Sequence, residues 1–230
     1  MTRQTLLYLP GLDGTGRLLH RQPELHDRYE VICQSYPQLR PADYAGLADA
    51  AARAVSSRSG RAIVLAESFG GAVGLTLALR HADLVERLVL VNTFAYYPRR
   101  PFIELAALFG AYLPARPSHP LTRPIRGPFF FARDIPQSER DAWWERTADV
   151  PLSAYGWRLR LIAGLDLRPR LGEIRLPTLV FVAPDDRIVP ACAGRLLARL
   201  LPDARLVEDR VAHAALIHPR VRVVNLLDRF

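Results

Sequence analysis

The chain contains no lysine: all 31 of its basic residues are arginine, set against 23 acidic residues for a net charge of +8. A surplus of that size invites a nucleic-acid partner. The arginines are nonetheless spread along the chain and interleaved with acids, and no recognised nucleic-acid-binding motif accompanies them. Codon bias in a GC-rich genome explains the pattern better than a binding stripe, so no nucleic-acid partner is expected. Cysteine is nearly absent too. Cys33 and Cys192 are far apart and show no metal-ligand spacing, which argues against a disulfide framework and against zinc. Each is expected in or near the core as a small hydrophobe. Long apolar runs are missing: none approaches the ~18 residues of a membrane span, and nothing near the N-terminus has the basic, apolar and small-residue order of a signal peptide. The expectation is a cytoplasmic protein with no stable membrane insertion and no metal or cofactor.

What is present is a 230-residue chain that is half hydrophobic, enough for one sizeable core. Short β-branched apolar runs alternate with Ala- and Leu-rich helical patterns. Strands are predicted at Thr5 to Leu9, Tyr29 to Gln34, Arg61 to Ala66, Arg87 to Asn92, Thr178 to Ala183 and Arg205 to Glu208. Helical spacing marks Tyr44 to Val55, Phe69 to Arg80 and Ala191 to Leu201. This alternation predicts a mostly parallel sheet with helices on both faces, whose site lies at the carboxyl ends of the strands. The rhythm breaks between Phe94 and Leu165, where prolines recur and aromatics gather as Phe129-Phe130-Phe131 and Trp143-Trp144. An interval this long is not a bare loop. It is read as a helical cap, residues 94–165, inserted into a core formed by residues 1–93 and 166–230. Helices are predicted in it near Phe102 to Tyr112, Ser138 to Ala148 and Ala154 to Ile162, with most of the aromatics in the cap's own core.

Directly after Ala62-Ile63-Val64-Leu65 come Ala66-Glu67-Ser68-Phe69-Gly70-Gly71, a near match to Gly-x-Ser-x-Gly. Where a buried strand turns sharply into a helix, small residues two positions either side of the serine let the two elements approach, and the hydroxyl is held out above the sheet. Ala66 departs from the pattern by one methyl. Taken alone, the segment reads equally well as a helix N-terminus capped by Ser68. A serine hydroxyl becomes a nucleophile only with a base to take its proton and a third group to orient that base. Both types follow, each at the end of a predicted strand: Pro184-Asp185-Asp186-Arg187-Ile188-Val189-Pro190 and Val211-Ala212-His213-Ala214-Ala215. His20, His26, His81 and His119 have no comparable placement.

The order serine, acid, histidine resembles that of α/β-hydrolase-fold enzymes, over essentially the whole chain. In that family the acid commonly stands three residues before a Val-Pro pair, which implies Asp186, with Asp185 as the near alternative. The family histidine commonly precedes a proline that opens the last helix; His213 ahead of Pro219 matches, and His218 matches less well. The resemblance also implies an oxyanion hole from the backbone amides of Phe69 and of Leu12, in the loop Pro10-Gly11-Leu12-Asp13-Gly14-Thr15-Gly16. The family's usual His-Gly is Pro10-Gly11 here, so one loop-ordering side chain is absent. A phosphate loop is the alternative, and it fails on spacing and for want of a lysine. Against the family, the chain begins at what is usually the third strand, implying about six strands, no first hairpin, and the first predicted strand, Thr5 to Leu9, near the middle of the sheet.

The implied function is a serine hydrolase that cleaves a carboxylic ester or thioester, small or carrier-bound, through Ser68, His213 and Asp186. Acyl transfer or another reaction on the same triad, or a ligand-binding homologue without catalysis, remain as alternatives. The arginines Arg99, Arg100, Arg116, Arg123, Arg126 and Arg133 outnumber the nearby acids, which suits a solvated face or an anionic substrate.

Overall fold

The computed structural model describes residues 3–39, 42–58, 60–110, 112, 114, 116–117 and 120–230. The chain runs β1 (Thr5–Leu9), α1 (Glu24–Arg28), β2 (Glu30–Cys33), α2 (Tyr44–Ser56), β3 (Ala62–Glu67), α3 (Phe69–Arg80) and β4 (Val85–Val91). Then follow α4 (Arg100–Gly110), α5 (Arg123–Phe130), α6 (Gln137–Arg146) and α7 (Leu152–Gly164), and after them β5 (Thr178–Val182), α8 (Ala191–Leu200), β6 (Ala204–Glu208) and α9 (Val223–Leu227). Among the described residues no helix is long and apolar enough to cross a membrane.

The strands form one six-stranded sheet in the order β2-β1-β3-β4-β5-β6, and every adjacent pair is parallel. Successive side chains of a strand point to opposite faces. Leu7, Leu9, Val64, Ala66, Leu88, Leu90, Val180 and Val182 therefore share one face, packed on residues of α2, α3 and α8. The residues between them, among them Leu6, Tyr8, Ile63, Leu65, Val89 and Phe181, share the other face with Leu25 of α1 and Leu226 of α9. Because both faces are covered at the centre of the sheet, β1, β3 and β5 are apolar almost without interruption, while the edge strand β6 is half exposed. Each wholly buried leucine contributes about 1.5–3 kcal/mol relative to exposure, so the sheet is the rigid frame on which strand-end loops are held.

Three expectations need correction. The first strand lies second from the β2 edge, and β3 and β4 occupy the centre. Both cysteines are exposed and free: Cys33 ends the edge strand β2 and Cys192 lies in the first turn of α8, so neither position faces the core. Helix α5 goes unpredicted because it carries Pro124 and Pro128. Proline in a first turn removes only an N–H that has no helical acceptor, so Pro124 opens the helix rather than breaking it.

The connection from β1 to β2 runs toward one edge of the sheet, and everything from β3 onward runs toward the other. Such a reversal leaves a crevice between the carboxyl ends of β1 and β3. The loop after β1 and the turn after β3 meet there.

Candidate active site

Ser68 sits in that turn, between the last residue of β3 and the first of α3. Its backbone has φ 52° and ψ −121°, a left-handed conformation that costs a residue with a Cβ on the order of 1–3 kcal/mol. Neighbouring hydrogen bonds hold it there: Ser68 N donates to Val91 O (2.9 Å), while Ser68 O accepts from Gly71 N (3.0 Å) and from Thr93 Oγ1 (2.5 Å). The tight turn needs its glycines. A Cβ on Gly70 would lie 2.3 Å from Leu9 O, and one on Gly71 would lie 2.0 Å from Thr93 Oγ1. The methyl of Ala66 is accommodated because Gly74 of α3 stands opposite, where a second Cβ would come within 3.3 Å of it.

The acid and the histidine meet. His213 Nδ1 and Asp186 Oδ2 are 2.7 Å apart, with both side chains largely buried. An ionised carboxylate only accepts, so Nδ1 carries the proton and Nε2 is the free base. Asp186 Oδ1 accepts from Ile188 N (2.7 Å) and Val189 N (2.9 Å), which fixes the carboxylate in its loop. Burial pulls the His213 imidazole down, but the Asp186 carboxylate and the Glu67 charge outweigh it and hold the group above its ordinary 6.5. Asp185 points instead at Arg210 (3.4 Å), and His218 pairs with Asp134 (3.1 Å). His20 and His81 meet Glu139 and Asp49. His119 lies outside the described residues.

The loop after β1 lies against the elbow: a Cβ on Gly11 would be 3.7 Å from Ser68 Cβ. Gly14 N donates to Gly11 O (3.1 Å), closing a turn that leaves the Leu12 amide outside its own hydrogen bond. Phe69 is the first residue of α3, so its N–H has no acceptor within the helix. Its ring is stacked on Tyr44 at 5.2 Å and meets Tyr36 edge-on at 5.7 Å. Ser68, Leu12 and Phe69 thus share the crevice.

Three residues that sequence reasoning passed over bear on this geometry. Asn92, itself at φ 47°, donates through Nδ2 to His213 O (3.0 Å) and Ala212 O (3.3 Å) and accepts at Oδ1 from Ala183 N (2.8 Å). It ties the acid loop to the histidine loop; a polar residue ending an apolar strand was the available signal. Glu67, half-buried beside Ser68, accepts from Tyr8 Oη, and desolvation pushes its carboxyl up to about 7 despite that bond. Arg158 of α7 is wholly buried against the loop after β1. In a chain whose cations are all arginine, nothing marked it among the others.

Residues between β4 and β5 pack against this region. Phe131, Trp143 and Trp144 pack with Leu18, Ala214 and Ile217, and the Phe130 ring lies 6.0 Å from that of His213. Phe129, Phe102 and Phe109 are exposed, so these aromatics do not all serve a core. A cleft of about 1190 Å³ opens beside the acid loop, lined by Asp186, Ala212, Trp144 and Phe131 together with Arg99, Arg123, Arg133 and Arg187. Ser68 and Leu12 are not in its walls. Among the described residues no three His, Cys, Asp or Glu side chains converge as a metal site would require.

A strained serine on a strand-to-helix turn at the centre of a doubly covered parallel sheet, with a carboxylate-bonded histidine on the same strand ends, defines a class of protein. The model of the alpha/beta hydrolase family matches residues 6–226, and the chain belongs to that family. A protein of Azorhizobium caulinodans named as the carbamate hydrolase RutD is 34% identical over 161 residues, covering 66% of this chain and 58% of that one. A protein of Aromatoleum aromaticum named as a pimeloyl-acyl-carrier-protein methyl ester esterase is 32% identical over 186 residues, 73% of each chain. The solved esterase EaEST of Exiguobacterium antarcticum is similar in fold, with a TM-score of 0.85 at 18% identity over 99% of this chain and 91% of its own. The match spans little more than half the length of the RutD proteins of A. caulinodans (58%) and Serratia proteamaculans (54%).

Proposed function

We propose that the protein is a serine hydrolase acting on a carboxylic ester or thioester. The observation that carries the reading is the 2.7 Å contact of His213 Nδ1 with the buried Asp186 carboxylate, at strand ends shared with the strained Ser68. In this mechanism His213 Nε2 takes the Ser68 proton as Oγ attacks the acyl carbon. The carbonyl oxygen becomes an oxyanion and receives the amides of Leu12 and Phe69, donors already fixed before the reaction. Collapse of the tetrahedral species expels the alcohol or thiol, which leaves with the proton from His213 and an acyl group on Ser68. Water then gives its proton to His213, attacks the acyl-enzyme, and the acid departs as Ser68 recovers its proton. Asp186 stays ionised throughout and stabilises the imidazolium.

In the same reading residues 94–165 form a cap that shapes the acyl site, with Phe130 nearest the base. The Aromatoleum relative supports an ester, small or carrier-bound, and the arginines of the cleft suit an anionic one. The RutD relatives favour a second substrate class, a carbamate, attacked at the same carbonyl by the same residues. A panel of p-nitrophenyl esters, acyl thioesters and carbamates of graded length, run on wild type, Ser68→Ala and His213→Ala, tests the proposal. Turnover of esters or thioesters that both substitutions abolish is expected. Wild-type rates in either variant would overturn the mechanism, and carbamate turnover alone would transfer it to the second substrate class.

A further inference from the structure

The guanidinium of Arg158 is the one wholly buried arginine side chain among the described residues, and it reaches from α7 to the loops after β1 and β2. Nη1 donates to Leu12 O (2.8 Å) and Asp13 O (3.0 Å); Nη2 donates to Pro37 O (3.0 Å) and Gln38 Oε1 (3.2 Å). Gln38 Nε2 in turn donates to Asp13 O and Gly14 O, each at 3.2 Å, so two side chains grip the same turn. The loop is shaped to this visitor. Gly14 has φ 65°, and a Cβ there would lie 2.7 Å from the Arg158 Cζ. The rings of Trp157 and Tyr36 lie 4.8 and 5.8 Å from the guanidinium carbon, and Tyr36 also meets the edge of Phe69. Burial lowers the Arg158 pKa to about 10, against the pull of Asp13, so the group is still a cation at neutral pH.

A charged guanidinium spent on neutral oxygens, three of them backbone, with its Nε buried without a partner, needs a reason, since burying a cation is costly unless its donors are met. We infer that Arg158 is a positioning residue for the oxyanion loop, supplied by the 94–165 segment: by holding the Leu12 and Asp13 carbonyls it aims the Leu12 amide at the oxygen that becomes charged. The Gly14 N to Gly11 O bond fixes the peptide before Leu12, and Arg158 fixes the two after it. The segment therefore completes the site from above as well as covering it. The inference rests on the serine-hydrolase reading.

Arg158→Lys and Arg158→Ala test it with a p-nitrophenyl ester, in parallel with circular dichroism and thermal melting. Loss of one oxyanion donor costs about 10²–10³-fold in kcat, so a misaimed one should cost kcat at least about tenfold with KM within threefold. Affinity for a trifluoromethyl ketone, which needs the hole for its hemiketal oxygen, should fall in step with kcat/KM. Guanidinium chloride at low millimolar concentration should restore part of kcat to Arg158→Ala, and sodium chloride should not. The lysine variant, which keeps the charge on a stem one atom shorter, should stay folded. Folded variants with kcat within threefold of wild type would overturn the inference, as would global unfolding of Arg158→Lys, which would make the role one in the fold. Ser68→Ala separates the two levels. If it turns over, the hydrolase reading falls; if it is inactive while the Arg158 variants behave as wild type, only this inference falls.

Discussion

At the level of single residues, the site combines groups held away from their relaxed states. Ser68 carries backbone strain of about 1–3 kcal/mol, and glycine at that φ would carry almost none. Allowing for glycine's greater freedom in the unfolded chain, Ser68→Gly should be more stable than Ser68→Ala by about 1 kcal/mol, both without turnover. Urea unfolding of the two variants checks this; equal midpoints would contradict it. Glu67 affords a pH test. Its charge helps hold His213 above 6.5, so Glu67→Gln should move the acidic limb of the kcat/KM profile to lower pH. Its own pKa, raised from about 4.5 to about 7, has a consequence for stability. Between those values the folded state holds a proton that the unfolded state has lost, so stability falls as pH rises through the window. Glu67→Gln removes that loss, and its melting temperature should exceed wild type by more at pH 8 than at pH 5. The sequence marked Ser68, Asp186 and His213 as candidates because each follows an apolar run and their types are complementary, and the structure joins Asp186 to His213 and sets Ser68 in a strained turn. Glu67 and Arg158 were not legible, because their roles depend on burial by residues distant in the chain.

Among the elements, the approach of α3 to the strand ends is set by glycines. Gly70→Ala would press a methyl into Leu9 O and Pro10 O, both backbone, and should destabilise by about 3 kcal/mol. Gly164, at the end of α7 with open space around its Cα, is the control, and Gly164→Ala should be neutral or slightly stabilising. Chemical denaturation of the pair distinguishes local crowding from a general intolerance of alanine. The Asn92 bridge between the acid and histidine loops makes a separate claim. Asn92→Ala should lower kcat by up to about 10²-fold through misalignment, with little change in KM for a short ester. The six strands and the helices α2, α3 and α8 were readable within a residue or two, since period-two and helical patterns survive wherever burial is regular. Prolines concealed α5 by resembling breaks, and the order of strands left β1 in doubt because edges are set by pairing between segments far apart in sequence.

Over the whole molecule, a parallel sheet presents the serine, acid and histidine loops at the carboxyl ends of its strands, and residues between β4 and β5, among them Phe130 and Trp144, pack beside them. The sheet follows from pattern alone. The covering segment does not: Phe129 is exposed and Phe131 buried two residues later, and α4 turns Phe102, Leu105 and Phe109 outward. Its shape is decided by packing among short, proline-interrupted pieces, which is why substrate choice was not legible in the sequence. A serine activated as proposed would react with a fluorophosphonate once and at one place. Intact-mass and peptide mass spectrometry of the labelled protein should find a single adduct on the peptide bearing Ser68, lost in Ser68→Ala and slowed in His213→Ala. Full labelling of Ser68→Ala, or an adduct on another serine with ester turnover intact, would contradict the assignment of Ser68 as the nucleophile.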